Sequence, residues 1–224
     1  MNAKQTAGKR SALDYFPAKI DLPALQHAAA TCKGCDIYKL GGPTVFGEGP
    51  ATAELMLVGE VPGDEEDRLG HPFVGPAGRL LNEALEEVGI DREQVYVTNV
   101  VKHFKWKPSP RGGKRRLHER PKASEIIACS PWLAAEIEVV RPRILVCLGA
   151  TAAQALLGKD FRVTKMRGQW VASVLAEKVM ATIHPSAILR TPDSDQREIQ
   201  YRSFVADLMV VAAELKKRKS AHAK

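Results

Sequence analysis

Four short runs of apolar, mostly β-branched residues punctuate the chain: "ELMLVG" (54–59), "VYVTNVV" (95–101), "RILVCLG" (143–149) and "KVMATI" (178–183). Each is hydrophobic almost throughout instead of alternating, the pattern of strands covered on both faces, as in a parallel sheet. Helical periodicity fills the intervals. "AGRLLNEALEEVG" (77–89) stops at a glycine, "KASEIIACSPWLAAEIEVV" (122–140) opens with Ser124, and "TAAQALLG" (151–158) follows the third run directly. Near the end, Phe204, Val205, Leu208, Val211, Ala212 and Leu215 fall on one face of a last helix. Strand alternating with helix predicts a three-layer α/β/α sandwich around a central, mainly parallel four-stranded sheet. A further strand in "GQWVASVL" is expected to form a hairpin with the fourth. The pattern divides the chain into a loose leader (1–20), a single folded domain (21–217) and a frayed tail (218–224).

Ligands of such sheets bind beyond the carboxyl ends of the strands. The segments that follow the first, second and fourth runs are "GEVPGDEEDRLGHPFVGPAG", "NVVKHFKWKPSPRGGKRRLHERP" and "HPSAILR". They carry the glycine-rich, basic and histidine chemistry of the chain, and one site built from all three is predicted. Glu60 in "GEVPG" and His184 in "HPS" are weak signals singly; their meeting at one sheet edge is what matters.

Composition changes the picture in two places. With 224 residues, 45% of them hydrophobic, the chain can bury a real core and is neither disordered nor fibrous. No apolar run is long enough to cross a membrane, and the polar start has no secretory pattern, so a cytoplasmic location without membrane attachment is expected. The net charge of +7 is then informative, because Lys102 to Arg120 alone holds eight Lys/Arg against one Glu, and the rest of the chain balances. A polyanionic partner is one reading, with Phe104 and Trp106 available to stack on bases; a solvated basic loop is the other. Within this segment "GGKRRLHERP" (112–121) surrounds one imidazole, His118, with cations: a phosphate clamp, or the mounting of a reactive histidine.

In a reducing compartment the four cysteines are ligands or buried thiols instead of disulfides. Cys32 and Cys35 form C-x-x-C, Cys129 follows the basic loop, and Cys147 sits mid-strand as a small core residue. His103, just past the second strand, is a candidate fourth donor.

"GEVPGDEEDRLGHPFVGPAGRLL", "VYVTNVVKHF", "ACSPWL", "LGATAAQALLG" and "IHPSAILR" resemble the iron–sulfur uracil-DNA glycosylases, family 4 and its relatives, from about Cys32 to Arg190. "GGKRRLH" resembles the insert of the UdgX type, whose K-R-R-I-H loop carries a histidine that becomes covalently joined to DNA after uracil is cut away; Leu117 stands in place of the isoleucine. The resemblance implies a [4Fe–4S] cluster on Cys32, Cys35, Cys129 and His103, the last replacing a cysteine of the family 4 pattern, although zinc would accept the same donors. It implies a monomeric enzyme acting on uracil-containing DNA, single strands included.

Carried onto this sequence, the resemblance makes Phe73 the ring that stacks on a flipped uracil and Asn99 the amide that reads its edge. Gly59, Val61, Asp67 and Ser186 would surround the base. His184 would stabilise charge on the departing uracil. His118 would attack C1′ of the sugar while Glu60 positions the imidazole and accepts its proton. Lys114, Arg115, Arg116 and Arg190 would hold DNA, with Arg115 and Arg116 also disfavouring protonation of His118. Val61 departs from the "GEQPG" pattern of the UdgX type and loses an amide. A hydrolytic glycosylase that uses His118 only to touch DNA shares all these motifs. A non-enzymatic DNA-binding iron–sulfur protein would have no need of Phe73, Asn99 and His184.

Overall fold

The computed structural model describes residues 11–110, 113–114 and 116–221, excepting the side chains of 218–221. Its strands are β1 (Leu55–Gly59), β2 (Val95–Asn99), β3 (Trp106–Pro108), β4 (Arg116–His118), β5 (Ile144–Leu148), β6 (Trp170–Val171) and β7 (Lys178–Thr182). Its helices are α1 (Leu22–Ala29), α2 (Asp64–Leu69), α3 (Pro76–Glu87), α4 (Ala123–Val140), α5 (Ala150–Leu157), α6 (Val163–Met166), α7 (Pro185–Leu189) and α8 (Ser194–Ala221).

Among the described residues the main sheet has five strands in the order β2-β1-β5-β7-β6. The first four are parallel, and β6 pairs antiparallel with β7, as the hairpin expected there requires. β1, β2 and β5 are buried at every position, which explains their unbroken apolar sequences. Because side chains alternate across a strand, each strand feeds two cores. Met56, Val58, Leu145, Cys147 and Val179 pack with Trp132 and Leu133 of α4 on one face. Leu55, Leu57, Val97, Val146 and Met180 pack with Leu81 and Leu85 of α3 and Phe204 and Leu208 of α8 on the other. The three-layer sandwich follows, and Cys147 is the core thiol its position suggested.

Pro131 lies inside α4 and cannot donate a helical hydrogen bond. The Ser130 hydroxyl donates instead to the freed Ile127 carbonyl at 2.9 Å, and the helix continues.

The expected leader and tail are corrected in their described parts. Residues 1–10 lie outside the description, but Ser11 caps a 3₁₀ turn at Ala12–Tyr15, Ala12 is fully buried, and Phe16 stacks on Trp132 at 4.7 Å. This segment presses on the C-x-x-C loop so tightly that a side-chain carbon at Gly34 would meet the Ser11 and Ala12 backbone at 2.7–2.8 Å. At the other end α8 runs on to Ala221, into the stretch read as tail.

Candidate active site

β1, β2 and β7 end at the same edge, and their following loops enclose a cavity of about 320 Å³. Glu60, Val61, Phe73, Asn99, His118, His184 and Ser186 line it, together with the acidic turn Asp64–Glu66. Segments far apart in sequence thus meet as predicted, and β3 and β4 supply the arm that brings His118 in. The two strands form an antiparallel hairpin, with Trp106 opposite His118.

Close approach of backbone and side chains shapes the cavity floor. Gly59 ends β1 directly under the pocket, and a Cβ there would collide with Asn99 Oδ1 and come within 2.8 Å of Phe73 Cζ. Phe73 itself has φ 57°, a left-handed conformation that is costly for an aromatic residue. Gly78 makes it possible, because any side chain there would run into the Phe73 carbonyl. The ring is therefore held by backbone geometry, 6.3 Å from the His184 ring and at 26° to it.

His184 has a defined proton arrangement. Its Nδ1 faces the backbone N–H of Ser186 at 3.1 Å and the Ser186 hydroxyl at 2.8 Å. A backbone N–H can only donate, so Nδ1 accepts and a neutral ring carries its proton on Nε2. Burial, helped by the charge of Arg190, lowers its pKa to about 4. His184 is therefore a neutral hydrogen-bond donor.

His118, exposed at the end of β4 yet partly desolvated by its neighbours, is also held below the ordinary histidine range, first by that desolvation and then by Arg190, while the Glu60 carboxylate opposes the shift. Glu60 accepts a hydrogen bond from Thr151 Oγ1 at 2.8 Å. A second cavity of about 430 Å³, lined by Arg120, Thr151, Thr164 and Arg190, adjoins the first and shares Glu60, His118, His184 and Ser186 with it.

The basic segment needs correction. Arg116 does not face outward for phosphate: its Nε and Nη1 each lie 2.5 Å from a carboxylate, of Asp64 and Asp67 respectively, and its guanidinium covers the Phe104 and Trp106 rings. Nor does the lowered His118 pKa draw on Arg116, whose charge is met by these carboxylates. Asp67, expected beside the base, is 2% exposed, lies outside the cavity lining and holds Arg116. Lys102 is buried against Glu136 at 2.5 Å, and Lys105 pairs with Glu125 at 2.9 Å. Phe104 is 2% exposed and cannot stack on a base. Lys114 and Arg190 are exposed as a DNA contact demands, and Arg115 lies outside the described residues.

Sequence reasoning missed Glu66. Its two oxygens accept from the Gly63 and Gly75 backbone N–H groups at 3.1 and 2.8 Å, clamping together two loops of the pocket wall. "GDEE" reads only as an acidic helix start; that Gly75 returns to the same carboxylate is not visible in it.

Among the cysteines, the backbone N–H of Gly34 and the indole N–H of Trp132 donate to Cys32 Sγ at 3.4 and 3.3 Å, and the Lys102 backbone N–H donates to Cys129 Sγ at 3.3 Å. Cys32 and Cys35 both act electrostatically on Cys129, whose thiol burial pushes up to about 12. His103 lies with Nε2 3.2 Å from Thr44 Oγ1, neutral through burial. Among the described residues no three such donors stand close enough to share one metal ion.

Fold and cavity define a three-layer α/β/α protein with two neutral histidines and a carboxylate at the carboxyl edge of its sheet. A family model for the uracil DNA glycosylase superfamily matches residues 46–208. The type-4 uracil-DNA glycosylase of Thermotoga maritima is 40% identical over 169 residues, covering 75% of this chain and 83% of that protein. That of Sulfurisphaera tokodaii is 38% identical over 180 residues, covering 77% of each. A type-5 uracil-DNA glycosylase of Pyrobaculum aerophilum is 32% identical over 158 residues, covering 62% of this chain and 64% of that protein. This chain belongs to the uracil DNA glycosylase superfamily, and its similarity extends to the type-4 group.

Proposed function

We propose that this protein excises uracil from DNA and is then joined through His118 to C1′ of the sugar left behind. The observation that carries the reading is that His118, beside Glu60, lines the same cavity as Phe73, Asn99 and His184.

A uracil flipped from the stack would lie against Phe73, and the Asn99 amide would offer both a donor and an acceptor to its O4 and N3–H. Cytosine presents the reverse pattern and would leave buried groups unpaired. As the N1–C1′ bond breaks, its electron pair goes to uracil. The Nε2–H of His184 then donates to O2, where charge accumulates. Glu60 presents negative charge to the cationic sugar, whereas Asp64 is already matched by Arg116 and Arg68. A ring-nitrogen lone pair of His118 forms the new bond to C1′, and the proton from the other ring nitrogen passes to Glu60. An imidazole bonded to C1′ is a poor leaving group, so the adduct persists. Lys114 and Arg190 contribute DNA-facing charge, and Val61 lines the pocket without an amide to offer.

The test is incubation with a uracil-containing single-stranded oligonucleotide followed by boiling in detergent and electrophoresis. The expected result is a shifted band with uracil and none with thymine. Uracil release without that band would make the protein a hydrolytic glycosylase.

The lowered pKa of His118 sets a pH expectation, although the residue itself is exposed at the end of β4. A histidine in water is half-protonated near pH 6.5, and the lowered pKa of His118 moves that midpoint down. Adduct formation should therefore decline with a midpoint below about pH 6.5. A rate that halves at pH 6.5 or above would show His118 titrating as if in water.

We propose further that Cys32, Cys35 and Cys129 hold a [4Fe–4S] cluster, with His103 as the fourth ligand. The N–H groups directed at the sulfurs of Cys32 and Cys129 would suit thiolates, the form in which cysteines hold a cluster. His103 would supply a neutral imidazole as the fourth donor. The cluster would tie the N-terminal segment to α4 and have no part in the chemistry. Protein purified without oxygen should be brown, and His103→Cys should keep the colour; colourless protein with stoichiometric zinc would refute the cluster.

A further inference from the structure

We propose that Thr151 is a positioning residue for Glu60, holding the carboxylate in place for proton transfer; this rests on the role given to Glu60 above. Thr151 is the second residue of α5, in the segment "LGATAAQALLG", is 7% exposed and lines the second cavity. Arg120 Nε lies 3.0 Å from Thr151 Oγ1, and Oγ1 lies 2.8 Å from Glu60 Oε1. Arginine has no acceptor, so the hydroxyl must accept from Arg120 and spend its single proton on Glu60. The hydrogen bonds therefore run in one direction, from guanidinium to hydroxyl to carboxylate, and each reinforces the next.

The chain has a fixed base. Gly149, at φ 90°, lets the start of α5 press against His184: a Cβ there would sit 2.9 Å from His184 Cβ. Thr151 is thus carried on the helix that backs His184, and the carboxylate and the imidazole that donates to uracil are referred to one rigid element. Arg120 is 64% exposed and only 3.6 Å from Glu60, so its direct attraction is screened; the hydroxyl does the positioning.

Removing a hydrogen bond to a charged group typically slows a step that depends on it by about tenfold or more. Thr151→Val keeps the shape and removes the hydroxyl; Thr151→Ser keeps the hydroxyl. Adduct formation and uracil release should be followed together in single turnovers on uracil-containing single-stranded DNA, for these variants, Glu60→Gln and the Thr151→Val/Glu60→Gln double variant. Expected are a loss of about tenfold for valine, recovery to within about threefold for serine, and no further loss from valine once Glu60 is glutamine. If wild-type protein releases uracil without an adduct, the trapping reading fails, and the same cycle is read on release, where Glu60 would take the proton of water. Valine behaving as wild type, serine failing to rescue, equal losses from valine in both backgrounds, or wild-type protein without either product would each overturn the role of Thr151.

Discussion

Replacing His118 by serine should abolish the detergent-resistant complex with uracil-DNA while DNA binding largely survives. His118 is the last residue of a short hairpin whose position is secured elsewhere: Arg116 two residues earlier is anchored to Asp64 and Asp67, and the Glu119 N–H donates to the Lys105 carbonyl at 2.8 Å. Removing the imidazole therefore leaves the arm in place, and exposed Lys114 and Arg190 keep their charges. The groups assigned to uracil departure, Phe73, Asn99 and His184, are untouched. Serine is smaller than histidine and opens space beside Glu60 for water, so the variant should release uracil and leave an abasic site. The contrast is a full loss of adduct against retained release, measured on one gel after alkaline cleavage of the DNA. If the variant still forms the complex, another nucleophile is present.

Glu136→Leu should cost about 3–5 kcal/mol of stability, the usual consequence of stranding one member of a buried ion pair. Glu136 is fully buried and accepts from the Gly47 N–H, the Tyr96 hydroxyl, the Thr98 hydroxyl and Lys102 Nζ. Lys102, 1% exposed, also donates to the Asn99 carbonyl at 2.8 Å. Leucine would strand the ammonium within the protein, next to the residue assigned to read uracil. For a chain of this size the melting temperature should fall on the order of 10 °C. Pairing the change with Lys102→Met should recover much of the loss, because no buried charge then remains. A drop under about 1 kcal/mol for Glu136→Leu alone would mean that water reaches the pair.

This network also shows where the sequence stopped being informative. The strands and the long helices were legible because burial on two faces or one face leaves a periodic trace, and Cys147 was readable as core for the same reason. The charge of the basic segment was countable, but its partners Glu125, Glu136, Asp64 and Asp67 come from other elements, so three of its cations, Lys102, Lys105 and Arg116, turn inward. The hairpin of β3 and β4 has three residues per strand, too short for an alternating pattern, and α2 is acidic, held by Glu66 instead of an apolar face. Glu60, His118 and His184 were candidates from their place after the strands and in the basic loop, Phe73 and Asn99 only by comparison with a family, and all five line one cavity. Thr151 and Glu66 were missed because what a hydroxyl or a carboxylate does depends on which group folding brings against it.

The central claim, that His118 itself bonds to the DNA, is tested most directly by locating the adduct. Trypsin should cut after Arg116 and after Lys122, since Pro121 protects the Arg120 bond, releasing Leu117–Lys122 with His118 as its only histidine. After nuclease digestion of the bound DNA, mass spectrometry should find the residual sugar on this hexapeptide, with fragmentation placing it on His118. The sugar on Val179–Arg190, which contains His184, or on any other peptide, would contradict the mechanism and return the basic loop to a DNA-holding role.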